Sequence, residues 1–358
     1  MHTALLANTA WLDDELATLN HVIVGLIDQQ VRVAQVVPDR FPDDESSVFV
    51  QRVAWHETRW RWLNQLRLAQ LADPIQAMSV DLIHALDGRL WSGALKLADR
   101  LQLPVVLSAS SYLDLKEAVG LHRRLPTDRV AFTASTEPLH AALREEVDDA
   151  IPVHFVPTGI YPSQADQTQR LTTDALCAVV SGNGIYDGAY DALLEGMAQL
   201  VQRQPQSQFF FDGQDSDQHP IWRAAEARGL LPNISLIPRR LGHRELLLRA
   251  DVLLHPQALG KSRTLTLQAM AVGLPIVALA DPWLDYLVDG QTAQVLPQPD
   301  VSLWSSALRQ LVEQPDQARS LGGRARQWVV EHRPASRQVE SILALYRDLL
   351  GQPIQFPG

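Results

Sequence analysis

The segment LGKSRTLTLQAMAVGLPIVA (residues 259–278) contains a glycine-containing loop, a helix-forming stretch and an apolar strand in succession. Its loop holds Gly-Lys-Ser at 260–262, the tripeptide found in phosphate-binding P-loops. A P-loop also requires a glycine five residues before the glycine of that tripeptide. Because this position is His255, the segment is not a P-loop. Another strand–loop–helix arrangement must therefore explain the cations and hydroxyl groups of the loop.

Short apolar strands alternate with helices along the chain, which is typical of a parallel sheet covered on both faces. The predicted strands are 3–8, 31–38, 80–86, 104–110, 129–135, 153–159, 175–182, 208–213, 233–239, 251–256, 274–280 and 292–297. The predicted helices include 12–29, 53–72, 91–101, 136–146, 190–204 and 336–349.

A polar stretch without apolar periodicity, residues 161–174, interrupts this series and is a candidate linker. We therefore expect an α/β chain with two Rossmann-like domains that face each other across a cleft. The predicted domains are 1–165 and 166–335. A C-terminal helix and tail, 336–358, could pack on either domain.

Composition and charge argue against several classes of protein and of site. The 358 residues carry a formal net charge of −10, which argues against a general nucleic-acid binder. The single cysteine, Cys177, excludes an intrachain disulfide and a zinc site built from several cysteines. The N-terminus carries acidic residues rather than a basic leader, and no apolar run reaches the ~18 residues needed to cross a bilayer. We expect a cytoplasmic protein.

The order of motifs in residues 250–300 resembles the signature region of the retaining family-four glycosyltransferases. The matching elements are Gln-Ala-Met-Ala-Val-Gly (268–273), Leu-Pro-Ile-Val-Ala (274–278) and Val-Asp-Gly (288–290). The resemblance to the family's first half is looser and lies in residues 80–110 and 129–160. The resemblance implies the GT-B architecture, with a nucleotide-sugar donor bound mainly on the second domain. It also implies a glycan, lipid or protein acceptor on the first domain. No metal or other cofactor is implied, and the nucleotide-sugar is expected as a substrate.

The chain departs from this family at the positions that carry charge. Two glutamates of the signature helix and its loop are replaced, as are the arginine and lysine of the first loop of the second domain. An acceptor-side histidine and the asparagine of a Pro-Asn-Gly turn are also replaced. The residues found at these positions are Gly260, Gln268, Asn183, Asp187, Ser110 and Thr158. A carboxylate at position 187 would repel a diphosphate unless it points away. These departures predict a degenerate site.

The loop before the signature helix offers a replacement for the lost cations. A helix N-terminus presents free N–H groups and a partial positive charge, which favour phosphate. Lys261 and Arg263 add two cations there, although they could instead be two solvated surface charges. The residues that we predict to bind the nucleotide diphosphate are Gly260, Lys261, Ser262, Arg263, Thr264, Gln268, Gly182, Asn183, Arg239 and Arg240.

Candidate catalytic residues are few. Ser110, His84 and Asp87 follow or lie in predicted strands of the first half, where α/β sites form. His84 could equally be a buried structural histidine, and Asp87 and Asp114 are carboxylates without a supporting motif. Two functions stay open at this point. One is a glycosyltransferase with an unusual diphosphate site; the other is an inactive GT-B homologue that acts as a scaffold, a sensor or the partner subunit of an active transferase.

The stretch 53–72 suggests a peripheral membrane contact. Trp55, Trp62, Leu66 and Ala69 would share one stripe of a helix that also carries arginines. Aromatic and basic residues on an amphipathic helix are typical of membrane-surface helices. The same pattern fits a helix that packs on a sheet, so the periodicity alone leaves both alternatives open.

Overall fold

The computed structural model describes residues 1–41, 50–121, 125, 128–161, 175–182, 186–212, 220–237 and 246–351. The chain forms two compact units. The first comprises residues 1–159, 260–262 and 335–358, and the second comprises 160–259 and 263–334. Most of the predicted linker, residues 162–174, lies outside the described residues.

A seven-stranded parallel sheet forms the centre of the first unit, in the order β3-β2-β1-β4-β5-β6-β7. The strands are β1 (His2–Leu6), β2 (Arg32–Pro38), β3 (Gln51–Trp55), β4 (Leu82–Ala85), β5 (Val105–Ala109), β6 (Val130–Ala134) and β7 (Val153–Phe155). The helices between them are α1 (Thr9–Asp28), α2 (Arg61–Ala69), α3 (Ala72–Ala77), α4 (Gly88–Leu101), α5 (Tyr112–Leu121) and α6 (Glu137–Glu146). The central strands are buried on both faces, which explains their continuous apolar sequences.

The predicted helix over 53–72 is wrong at its start. Residues Gln51–Trp55 form strand β3, which pairs in parallel with β2, and helix α2 begins only at Arg61. Val53 and Trp55 are buried while Ala54 between them is exposed, so the burial has the period of two that a strand produces. Trp55 therefore belongs to the core and lies outside the aromatic stripe of α2.

The second unit contains a six-stranded parallel sheet in the order β10-β9-β8-β11-β12-β13. Its strands are β8 (Cys177–Val180), β9 (Gln208–Asp212), β10 (Ile234–Ile237), β11 (Val252–His255), β12 (Ile276–Leu279) and β13 (Gln294–Leu296). Its helices are α7 (Gly188–Arg203), α8 (Pro220–Glu226), α9 (Thr264–Ala271), α10 (Val301–Glu313) and α11 (Pro315–His332). The prediction of an α/β chain with two Rossmann-like domains is confirmed.

The last helix, α12 (Ala335–Leu349), belongs to the first unit. Its apolar face joins the core around α1, where Val339, Ile342 and Tyr346 are buried. Gly25 of α1 makes room for this contact, because a Cβ atom there would lie 2.4 Å from a methyl carbon of Val339.

Among the described residues, no helix combines the length and the apolar composition that a membrane span requires.

Helix α9, the signature helix, is fixed by a close backbone contact. It ends at a turn in which Gly273 has a φ of +78°, a conformation that favours glycine. Helix α11 packs against this turn through Gly322. A Cβ atom on Gly322 would lie 2.1 Å from the carbonyl oxygen of Gly273. The approach of α11 to α9 therefore depends on the absence of a side chain at this position.

We expect Gly322→Ala to destabilise the protein by about 1–3 kcal/mol, because the new methyl group meets backbone atoms that have little freedom to move. The measurement is the free energy of unfolding from urea titration. Gly323→Ala is the matched control, since a Cβ atom there meets nothing within 4 Å. That variant should be neutral or slightly more stable, because alanine favours a helix. Equal losses in the two variants would contradict the packing argument.

Candidate functional site

The carboxyl edge of the second unit's sheet has the topology of a ligand site. The chain order reverses between β8 and β11, and ligands of open α/β sheets bind beside such a switch point. Ser181 follows β8 and donates or accepts a 2.7 Å hydrogen bond with Nδ1 of His255, the last residue of β11. Burial, with a smaller effect from Arg263, lowers the pKa of the His255 imidazole to about 3. The histidine is therefore neutral at physiological pH.

Arg263 lies at this edge but is buried. It is the N-cap residue of α9, and its side chain is 3% exposed. The guanidinium donates a hydrogen bond to the Gly182 carbonyl, and one of its nitrogens lies 3.3 Å from Oδ2 of Asp212, which is also 3% exposed. The cation thus joins the ends of β8 and β9 to the start of α9. A role of Arg263 in nucleotide binding stays a prediction.

Gly182 is required by its neighbour Tyr190. A Cβ atom on residue 182 would lie 1.5 Å from the Tyr190 hydroxyl oxygen. Tyr190 is buried and stacks against Tyr186, with ring centroids 6.5 Å apart. Glycine therefore allows the hydroxyl group of Tyr190 to lie directly at the end of β8.

Asp187, the carboxylate expected to repel a diphosphate, caps helix α7. Its Oδ1 accepts hydrogen bonds from the backbone N–H groups of Ala189 and Tyr190, at 3.1 and 3.2 Å. Its Oδ2 accepts a 2.7 Å hydrogen bond from the side-chain amide of Gln257. A carboxylate at a helix N-terminus is stabilised by the free N–H groups and the helix dipole. Its charge is therefore compensated within the second unit.

The two cations of the signature loop have different surroundings. Residues 260–262 belong to the first unit, where the Ser262 N–H donates to the Ser110 carbonyl at 2.9 Å. Gly260 has a φ of +59°, a conformation in which glycine is favoured. Lys261 Nζ lies 2.5 Å from Oδ2 of Asp14, a carboxylate that is 8% exposed. Lys261 is thus ion-paired in the first unit, whereas Arg263 is ion-paired in the second.

Helix α9 offers one partly accessible polar residue. Thr264 is buried at its first position, while Gln268 is half-buried in a helix whose other residues are all buried. Asn183, Arg239 and Arg240, also predicted to bind the nucleotide, lie outside the described residues.

Ser110 in the first unit adjoins a buried carboxylate instead of a histidine. Asp114 accepts hydrogen bonds from the backbone N–H groups of Gly88, Ser110 and Ser111, at 2.8–2.9 Å, and from the Ser111 hydroxyl at 2.8 Å. Burial, followed by the negative charge of Asp87, raises the pKa of the Asp114 carboxyl to about 6. Asp114 therefore holds the turn after β5 that presents Ser110.

Asp87 is paired with an arginine. Burial acts to raise its pKa, but hydrogen bonds and the charge of Arg89 outweigh burial, and the pKa lies below its usual value. The two carboxylate oxygens accept from Nε and Nη2 of Arg89, each at 2.8 Å. Asp87 also caps α4 through the Arg89 N–H. A paired capping carboxylate of this kind is a poor general base.

His84 is a buried histidine with both ring nitrogens engaged. Nδ1 lies 2.6 Å from the Tyr346 hydroxyl, and Nε2 lies 2.6 Å from Oγ of Ser108, which is 2.7 Å from Oγ1 of Thr133. Burial lowers the pKa of the His84 imidazole to about 3. These contacts agree with the structural alternative for His84. With Ser110 and Thr158, this residue lines a cavity of about 60 Å³.

Comparison with known proteins finds one family model that matches part of the chain. Residues 164–328 match the family model described as Glycosyl transferases group 1. The matched range contains the signature region at 250–300. No curated protein matches the chain.

Solved structures of the same fold cover nearly the whole chain. A sucrose-phosphate synthase from Thermosynechococcus elongatus is 18% identical, with a TM-score of 0.78 and coverage of 98% of this chain and 99% of the other. HepE from Anabaena, solved with UDP and glucose, is 14% identical, with a TM-score of 0.76 and coverage of 96% and 98%. WaaG, a glycosyltransferase involved in lipopolysaccharide biosynthesis, is 14% identical, with a TM-score of 0.69 and coverage of 96% and 99%. At these identities the likeness establishes the GT-B fold.

Several residues around the signature loop were not identified from the sequence. Asp212, the partner of Arg263, ends an apolar strand, and Asp14, the partner of Lys261, lies in the second turn of α1. Both partners are distant in sequence from the cations that they neutralise, and no local motif marks them. Glu15 beside Asp14 is a further buried carboxylate, 4% exposed, which lines the same cavity as His84.

The buried histidines predict a pH dependence of stability. For His84, the folded pKa of about 3 lies below the ordinary value of 6.5, so the unfolded chain binds a proton first as the pH falls. Neutral His84 therefore contributes to the free energy of unfolding. This contribution is complete above pH 6.5 and is lost as the pH falls towards 3, by about 1.4 kcal/mol per pH unit for one histidine. We expect His84→Gln to reduce the slope of unfolding free energy against pH between pH 5 and 6.5, measured by urea titration.

The exposed His332 provides the control, because its ring is accessible in the folded protein. His332→Gln should keep the slope of the wild type. An unchanged slope in His84→Gln would show that burial does not hold His84 neutral.

Proposed function

We propose that the protein transfers a sugar from a nucleotide-diphosphate donor to a glycan, lipid or protein acceptor. The match of residues 164–328 to the Glycosyl transferases group 1 model is the observation that carries this proposal. HepE, which has the same fold, was solved with UDP-glucose, a nucleotide-sugar of the proposed donor class. Retention of the anomeric configuration is part of the proposal and rests on the sequence resemblance.

The donor would bind at the carboxyl edge of the second unit's sheet. Helix α9 begins there and supplies backbone N–H groups that favour an anion. Gln268 is the polar side chain of α9 that is partly accessible, and its amide can bond ribose hydroxyl groups. The capped Asp187 supports this assignment, since its carboxylate already has hydrogen-bond partners in its own unit. Catalysis would come from positioning and from stabilising the leaving diphosphate, without a metal.

Lys261 is the cation that we assign to the diphosphate. Its side chain is 21% exposed, whereas the Arg263 side chain is 3% exposed and lies against Asp212. Binding would require Lys261 to exchange Asp14 for a phosphate oxygen. Both are anions, so the lysine keeps a charged partner in either state.

The alternative is an inactive GT-B homologue that acts as a scaffold, a sensor or a partner subunit. One observation favours it: both cations of the signature loop already have carboxylate partners. The glutamates expected at 260 and 268 are also absent, being replaced by Gly260 and Gln268. The two proposals differ in turnover, and the sensor shares nucleotide binding with the transferase.

Calorimetry with UDP, GDP and ADP tests nucleotide binding, and release of nucleoside diphosphate from the corresponding sugar nucleotide tests turnover. We expect one nucleotide to bind, and Lys261→Ala to weaken it about tenfold or more because a charge-assisted bond is lost. Lys96→Ala is the control, since Lys96 is an exposed lysine of the first unit that bonds Gln65. Arg263→Ala is a poorer reporter than Lys261→Ala, because both members of the Arg263–Asp212 pair are 3% exposed, whereas Lys261 is 21% exposed.

Absence of binding for all three nucleotides at millimolar concentration would contradict both the transferase and the nucleotide sensor. Binding without release of nucleoside diphosphate would favour the sensor.

We also propose a peripheral membrane contact through helix α2. Trp60, Trp62 and Leu66 are 53%, 59% and 48% exposed, and Arg67 lies on the same helix. Tryptophan side chains favour the headgroup region of a bilayer, and arginine favours anionic lipids. The surface of α2 therefore has the composition of an interfacial helix.

Flotation with vesicles containing phosphatidylglycerol tests this contact. The wild type should float with the vesicles, and Trp60→Ala/Trp62→Ala should lose most of this recovery because two interfacial side chains are removed. Tyr161→Ala is the control, as it removes another half-exposed aromatic side chain, one that lies in the second unit. Recovery that does not depend on lipid would end the proposal.

A further inference from the structure

A pocket lined by arginines lies in the first unit, at the carboxyl ends of β1 and β3. It has a volume of about 370 Å³ and is bordered by the start of α1, the segment after β3 and the first turn of α4. Four arginines line it, together with two carboxylates, Asp13 and Glu57. The arginines are Arg40, Arg59, Arg61 and Arg89. Such a cluster is unusual on a chain whose formal net charge is −10.

The four guanidinium groups retain donors for a ligand. Arg89 binds Asp87 and Arg61 binds Glu117 at 2.7 Å, while Arg40 lies 3.4 Å from Glu57. These pairs leave donors over, because a guanidinium has five N–H groups. Arg59 has no carboxylate partner in the part of the chain that the structure describes, and its guanidinium lies 5.1 Å from the centroid of the Trp60 ring.

The pocket already holds an oxyanion of the chain itself. Oε2 of Glu57 accepts a 3.1 Å hydrogen bond from the Thr9 N–H, at the first position of the 20-residue helix α1. The Thr9 hydroxyl and Arg40 donate to the same oxygen. Helix dipole, hydroxyl group and guanidinium thus converge on one negatively charged oxygen. This end of the pocket therefore already binds one carboxylate of the chain.

Hydrogen bonds of Asn64 hold the segment after β3 that lines the pocket. Asn64 accepts from the Thr58 N–H and donates to the Thr58 carbonyl, both at 2.8 Å, which fixes the segment that carries Arg59. Trp55 lines the pocket, its side chain is 3% exposed, and its indole N–H has no acceptor among the described residues.

We infer that this pocket binds a phosphomonoester. A phosphate group has two negative charges and three terminal oxygens, which match the forked donors of Arg40 and Arg59 better than a single carboxylate does. The volume exceeds what one phosphate group fills, so the group attached to the phosphate also has room. The phosphate belongs to a soluble sugar phosphate or to a phospholipid headgroup, since both present the same chemistry. As an assignment of the acceptor class, this inference rests on the proposed transferase function.

Direct binding to the full chain tests the site without any nucleotide. The probes are glucose 6-phosphate, with glucose as the uncharged comparison, in calorimetry, and vesicles with phosphatidic acid or phosphatidylcholine in co-sedimentation. We expect glucose 6-phosphate or phosphatidic acid vesicles to bind and the comparison probe to fail. Arg40→Gln/Arg59→Gln should weaken binding at least tenfold.

Three further variants keep the test specific. Arg59→Gln alone changes an exposed side chain and serves if the double variant does not fold. Arg59→Lys keeps the positive charge but removes the planar guanidinium that can bind two oxygens at once. Its affinity should fall between those of the wild type and Arg59→Gln. Arg129→Gln removes an exposed arginine that lies outside the pocket and should bind as the wild type does.

Every outcome of these titrations either supports or overturns the site. Binding of glucose 6-phosphate only, or of phosphatidic acid vesicles only, supports the site and identifies the source of the phosphate. Absence of both, or equal binding by the double variant and the wild type, overturns it. The nucleotide titrations are independent: UDP binding without phosphate binding overturns the site and leaves the proposed transferase intact. Phosphate binding without nucleotide binding keeps the site and removes the transferase.

Discussion

The buried guanidinium of Arg263 is the interaction on which the edge of the second unit depends. Moving a charged group out of water costs several kcal/mol, which the protein recovers only when the charge has close partners. Asp212 supplies the opposite charge, and the Gly182 carbonyl accepts a hydrogen bond. One side chain therefore ties the ends of two strands to the start of α9. Gly182 must lack a side chain for the same edge to accommodate Tyr190.

The two cations of the signature loop look alike in the sequence, but the structure gives them different surroundings. Arg263 and Lys261 are two residues apart, yet one is 3% exposed and the other 21% exposed. A guanidinium can be buried because its five donors bind several acceptors at once, whereas an ammonium group is more strongly hydrated. The arginine is consequently suited to holding the edge together. The lysine side chain is partly exposed and is paired with one carboxylate, so it is suited to exchanging that partner for a ligand.

Local sequence predicted much of the fold for a clear physical reason. Strands buried on both faces, such as β6 and β11, require unbroken apolar runs, and helices between them require polar faces. The predicted signature helix begins near Thr264 as expected, because its start and its glycine turn are encoded within a few residues. The segment around Trp55 misled the prediction, since its apolar spacing also fits a helix stripe and only pairing with β2 decides that it is a strand.

The sequence by itself determined the two α/β units, the position of α9 and the glycine turn that ends it, because each depends on neighbours within about one turn or strand. It also showed which charged positions of the family that it resembles are replaced, at Gly260, Gln268 and Asp187. Only the tertiary structure decided what the remaining charges do. Asp14 and Asp212 reach their cations across 247 and 51 residues of chain, so burial and pairing, rather than local pattern, set their roles. Charged side chains pair when they lie close in space, and their separation along the sequence does not give that distance.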